Sequence, residues 1–96
     1  MLGLFLLRSS GSPPAGGPVL ARIEGELYVL VFSDRDRAIA ARQTLGVHDA
    51  ALFYVCDANC SQVLGELRAA GARGFITDYD PSSATFSGAG ALPHAA

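Results

Sequence analysis

The sequence predicts an α/β fold: a small two-layer sandwich in which a mixed sheet, with a parallel β-α-β-α-β core, is preceded by an N-terminal strand and a hairpin. Three stretches carry the prediction, LYVLVF (27–32), ALFYVC (51–56) and RGFITDY (73–79). Each is apolar in both alternating phases, the pattern of strands that need cover on two sides. Two segments with apolar residues at three- and four-residue spacing separate them, so a helix crosses between each pair and the three strands run parallel. A chain of 96 residues, 50% hydrophobic and 17% charged, has room for a single domain over 1–96 with one modest core.

Residues 2–8 read as the first strand. The opening MLGLFLL lacks a basic n-region and meets Arg8 too early for a signal-peptide core or a membrane span. SSGSPPAGG (9–17) then breaks the strand with Ser, Pro and Gly and reads as a flexible loop. Residues 19–23 and 27–32 flank Glu24-Gly25-Glu26, a hairpin because Gly25 can take the positive φ that tight turns demand. Ser33 stands before DRDRAIAARQTL, where its hydroxyl can accept a first-turn N–H, Asp34 and Asp36 face the positive helix end, and Gly46 closes the element. The apolar face of this helix, Ala38, Ile39, Ala41 and Leu45, is shallow. It allows a close approach to the sheet but supplies little area for the roughly 25 cal/mol per Å² that burial yields. In the second helix Cys60, Val63, Leu64, Leu67 and Ala70 form the stripe, and Asn59 with Gln62 resembles a capping box, with Asp57 as a rival cap. Gly71 and Gly74 bracket the turn into the third strand, 85–87 adds a brief edge strand, and 88–96 reads as a disordered tail.

Consecutive strand order with right-handed crossovers puts both helices on one face of the sheet. The other face is then bare, and a second copy or another protein must cover it. Tyr28, Leu30, Phe32, Phe53 and Val55 are the interface candidates on this reading. Reversing the strand order between the two crossovers places one helix on each side and weakens the argument for a dimer.

Composition excludes several partners. The net charge is −2, there is no Lys, and Arg35 and Arg37 alternate with Asp34 and Asp36, so no basic footprint for nucleic acid forms. Two cysteines make no disulfide framework, and a cytoplasmic address is the default. Cys56 and Cys60 have three residues between them where redox and zinc pairs have two, and both read as core thiols. Carboxylates collect where the parallel strands end, at Asp34, Asp57, Asp78 and Asp80, which is where open α/β sheets bind ligands. They are candidates for holding Mg²⁺ and phosphate, against the plainer reading as caps and turn formers ahead of Pro81. No Gly-rich phosphate loop, dinucleotide fingerprint or serine nucleophile motif occurs, and His48 lies in a polar turn. The expectation is a domain without catalysis or cofactor.

At VFSDRDRAIAA, followed about thirty residues later by VLGELRAAGARGFITDYDP, the chain resembles the N-terminal domain of the bacterial SseB-type family over roughly residues 26–81. The resemblance rests on Phe32 and Ser33 at the first helix start and on Leu64, Leu67, Gly71, Gly74, Phe75 and Ile76 in the second half. It departs at Asp78-Tyr79-Asp80-Pro81, where that family usually has Asn-Pro. The resemblance implies a small α/β accessory or protein-contact domain and carries no catalytic residue.

Overall fold

A computed structural model describes residues 2–9 and 17–92. The loop expected at 9–17 therefore lies mostly outside the described residues. The elements are β1 (Phe5–Ser9), β2 (Gly17–Pro18), β3 (Leu20–Ile23), β4 (Glu26–Phe32), α1 (Arg35–Leu45), β5 (Ala51–Tyr54), α2 (Cys60–Ala69), β6 (Ala72–Thr77) and β7 (Gly88–Ala91). The fold class is the predicted α/β one, with a mixed sheet, a β-α-β-α-β core and two helices.

All seven strands form one sheet. Across its body β5 pairs β1, β1 pairs β4, β4 pairs β6 and β6 pairs β7, and β4–β6 is the parallel pair. The hairpin forms as expected: Ile23 faces Glu26, and Glu24 and Gly25 both have positive φ, at 52° and 82°. That is the two-residue turn whose twist suits a hairpin. β2 is antiparallel to β1, β3 to β4, and β1 to β4. Three straight neighbours cannot all be mutually antiparallel, so the chain has to change direction within this group, and Val19, between β2 and β3, is where the strand is interrupted.

Strand order is where expectation and structure part. β1 runs antiparallel between β4 and β5, so the first crossover travels one way from β4 and the second returns past it to β6. Crossovers of one hand that travel in opposite senses land on opposite faces. Accordingly, Val63 and Leu67 of α2 pack with Leu6, Val29 and Val31, while Ala38 and Ala41 of α1 pack with Leu7, Leu30, Phe32 and Ile76. The wholly bare face that follows from a consecutive order is absent, and alternate residues of β4 are buried on each side by the chain's own helices.

Local capping also differs from the sequence reading. The α1 N-cap is Asp34, whose carboxylate accepts the Arg37 N–H at 2.8 Å, because Ser33 is engaged elsewhere. Gly46 closes α1 in the left-handed conformation, as expected. Asn59 makes no side-chain cap. Its amide instead spans the end of β5, accepting the Cys56 N–H and donating to the Tyr54 carbonyl, each at 3.0 Å. The edge strand falls at Gly88–Ala91, a segment expected to be tail, and not at 85–87. Close backbone approach explains it: a Cβ on Gly74 would sit 2.2 Å from the Gly90 carbonyl oxygen, so only glycine lets β6 and β7 pair here.

Candidate functional site

Two surfaces emerge from this topology. The first is at the carboxyl ends of β4 and β6, where the sequence placed its acidic candidates. Asp78 follows β6 with φ 55°, a left-handed conformation that Asp tolerates better than most residues. That turn aims its carboxylate back at the start of α1, where it accepts both the backbone N–H and the hydroxyl of Ser33 at 2.8 Å. The Asp78 N–H donates to the Val31 carbonyl, completing the tie between the two strand ends. Arg37, one turn into α1, brackets the cluster, with Nε 3.0 Å from Asp34 and Nη1 3.5 Å from Asp78. The Asp78 side chain is only 9% exposed.

Asp34 and Asp78 are thus brought together, but the charge between them is a guanidinium. Both Asp78 oxygens accept hydrogen bonds from Ser33, and the cluster works as a clasp that fixes α1 to the β6 end. Asp80 lies beyond it, fully exposed, with its own partners: Ser82 donates from its hydroxyl at 2.6 Å and its backbone N–H at 3.0 Å. Those bonds, the hydroxyl first, hold the Asp80 carboxyl below its ordinary value of 3.8. Asp57 follows β5, separated from β4 by β1 and so by two strand spacings of about 4.8 Å each. Among the described residues no group of three or more His, Cys, Asp or Glu could hold a metal ion. Beside the clasp, Arg37, Ala40, Ala41, Thr44 and residues 78–81 line a hollow of about 270 Å³.

The second surface is the margin of the α1-side face beyond the reach of α1. α1 packs over β1, β4 and β5 and meets β6 at Ile76, and the adjoining strips of β6 and β7 carry Gly74, Ala89 and Ala91. β6 is irregular where it meets β4: the pairing jumps from Leu27–Ala72 to Tyr28–Gly74, leaving Arg73 as a bulge. A bulge re-aims the side chains on either side of it. Gly74 consequently shares a face with Tyr28, whose ring carbon would lie 3.3 Å from a Cβ there. Tyr28, Arg73, Ala89, Gly90 and Ala91 line a shallow hollow of about 250 Å³. Arg73 lines it and carries Glu26 beside it as an ion pair, 3.7 Å apart and 66% and 50% exposed, and the two make its charged rim. Neither the bulge nor the small-residue floor has a sequence signal that would have marked this place.

The five interface candidates divide accordingly. Leu30, Phe32 and Val55 are 2%, 0% and 0% exposed and belong to the chain's own core, so no partner reaches them without opening the fold. Phe53 is half-buried on the α2 side, under the Arg8 guanidinium at 5.1 Å, which in turn pairs with Glu66. Tyr28 alone of the five lines the hollow over β6 and β7, half-buried against the α1-side cluster. At the opposite edge of the sheet, Tyr54 is exposed and its ring meets that of Phe5, but its carbonyl is taken by Asn59. Cys56 and Cys60 are free and half-buried, with Cys60 packed against the α2-side core.

No helix among the described residues is long and apolar enough to cross a membrane. Compared with known proteins, the chain matches no family model, no curated protein and no solved structure.

Proposed function

We propose that this chain is a non-catalytic α/β domain that works by protein contact, self-association included, and that the contact is made by the sheet margin over β6 and β7. One observation carries the reading: a sheet face holding a half-buried Tyr28 over Gly74, Ala89 and Ala91, next to an edge strand whose sequence is Gly-Ala-Gly-Ala. Edge strands that avoid pairing usually carry a charge or proline within them, and β7 carries neither. Large aromatic side chains at a shallow, uncharged floor are the common anchors of protein interfaces. The SseB-type resemblance implies the same class of role. The alternative of Mg²⁺ and phosphate binding by Asp34, Asp57, Asp78 and Asp80 gains no support from the clasp, where Arg37 already supplies the positive charge.

Light scattering of the intact chain over a dilution series from roughly 1 to 200 μM, the range in which small interfaces act, tests the reading. The weight-average mass rises above 9.9 kDa at the concentrated end if the chain self-associates. A mass fixed at that of one chain throughout removes self-association.

A further inference from the structure

We propose that the margin over β6 and β7 is an isologous interface for a second copy of this chain, in which each Arg73 pairs with the partner's Glu26. This rests on the contact reading above and adds the occupant and its register. The rim decides the occupant. Arg73 and Glu26 are side by side, both largely exposed, and at 3.7 Å make a long ion pair of the kind that contributes little within one molecule. A basic or an acidic peptide laid across the hollow meets one like charge for every opposite one. A second copy turned about a two-fold axis that crosses the Arg73–Glu26 line at right angles meets two opposite charges, because that axis exchanges the cation for the anion on each side. The floor fits the same operation, since Gly74, Ala89 and Ala91 leave room beside Tyr28 for the partner's Tyr28.

The patch is small, three strands wide and about four residues long, or on the order of 200 Å² by strand spacing and rise. An interface of that size is weak and reversible, well below the roughly 800 Å² per partner of stable complexes.

Charge reversal gives a test with its own rescue. Sedimentation velocity is run on the wild-type chain, on Arg73→Glu, on Glu26→Arg, on an equimolar mixture of the two variants, and on the double variant. Wild type associates; each single variant places like charges face to face and associates about tenfold more weakly or not at all. In the mixture, one protomer has two acidic residues on its rim and the other two basic ones, so heterodimers form, and the double variant associates as wild type does. Circular dichroism of each variant separates loss of association from loss of fold, and the mixture makes the outcome readable even where one variant is less stable. If wild type associates and the single variants match it, or if the folded mixture fails to recover, this interface is wrong while self-association stands. If wild type is a monomer at every concentration, both fall.

Discussion

Replacing Gly74 by alanine should be among the most damaging single-methyl additions in this chain, while the same change at Gly90 should be nearly silent. At Gly74 the new Cβ would lie 2.2 Å from the Gly90 carbonyl oxygen and 3.1 Å from its carbon, so backbone must move. At Gly90 it would meet the far end of the Phe75 ring at 3.1 and 3.2 Å, and that side chain, partly buried against the α2-side core, has to shift by only a few tenths of an ångström while the backbone stays in place. Overpacking against backbone costs about 1–3 kcal/mol, and each β6–β7 ladder bond broken adds about 1 kcal/mol. We therefore expect Gly74→Ala to lose about 2–4 kcal/mol, a large share of the roughly 5–14 kcal/mol that a chain of this length has. At about 4–8 °C per kcal/mol this lowers Tm by on the order of 8–32 °C. For Gly90→Ala, relief of unfolded-chain entropy offsets most of the contact, and the net change stays within about 1 kcal/mol. Urea unfolding followed by circular dichroism measures both. Equal effects, or a Gly74→Ala chain within about 0.5 kcal/mol of wild type, would refute the argument that close approach of β6 and β7 explains these glycines.

Three further outcomes can be checked. Asp78→Ala removes the acceptor of both Ser33 bonds and leaves alanine at positive φ, so it should cost about 2–3 kcal/mol, whereas Asp78→Asn keeps an acceptor for the Ser33 N–H, tolerates that φ, and should cost about half as much in the same assay. Leu67→Ala, at a fully buried position on the α2 side, should cost about 2–5 kcal/mol. The Asp80 carboxyl, read by NMR, should titrate below 3.8 and move back toward it in Ser82→Ala. Since the folded pKa is the lower one, the small stabilisation from Asp80 is present above the unfolded value and disappears as pH falls through the folded one. A normal Asp80 midpoint in the wild-type chain would mean that the Ser82 bonds do not form in solution.

Elements with a strong periodic pattern were legible in the sequence. LYVLVF is apolar in both phases because β4 is buried on both sides, and Glu24-Gly25 announces its turn. Both helices, and the left-handed close of α1 at Gly46, follow from local chemistry alone. What was not legible is set by contacts distant along the chain. Nothing in FLLRS says that β1 will slip between β4 and β5, yet that insertion sends α1 and α2 to opposite faces. Gly88–Ala91 looks like tail because the value of glycine there depends on Gly74, and Arg73 becomes a bulge only through its register with β4. The acidic strand ends were located correctly in sequence, but the clasp depends on the turn at Asp78 and on Arg37 reaching across to it. The spacing of Asn59 to Gln62 fits a cap, but the exposed end of β5 competes for the same amide and takes it.

Backbone amide NMR shifts of the intact wild-type chain, followed on dilution, test the central claim most directly. Association through the sheet margin predicts concentration-dependent shifts at Tyr28, Arg73, Gly74 and residues 88–91, with Leu52 and Tyr54 at the opposite edge unchanged. Shifts confined to β5, or none at any residue, would contradict it.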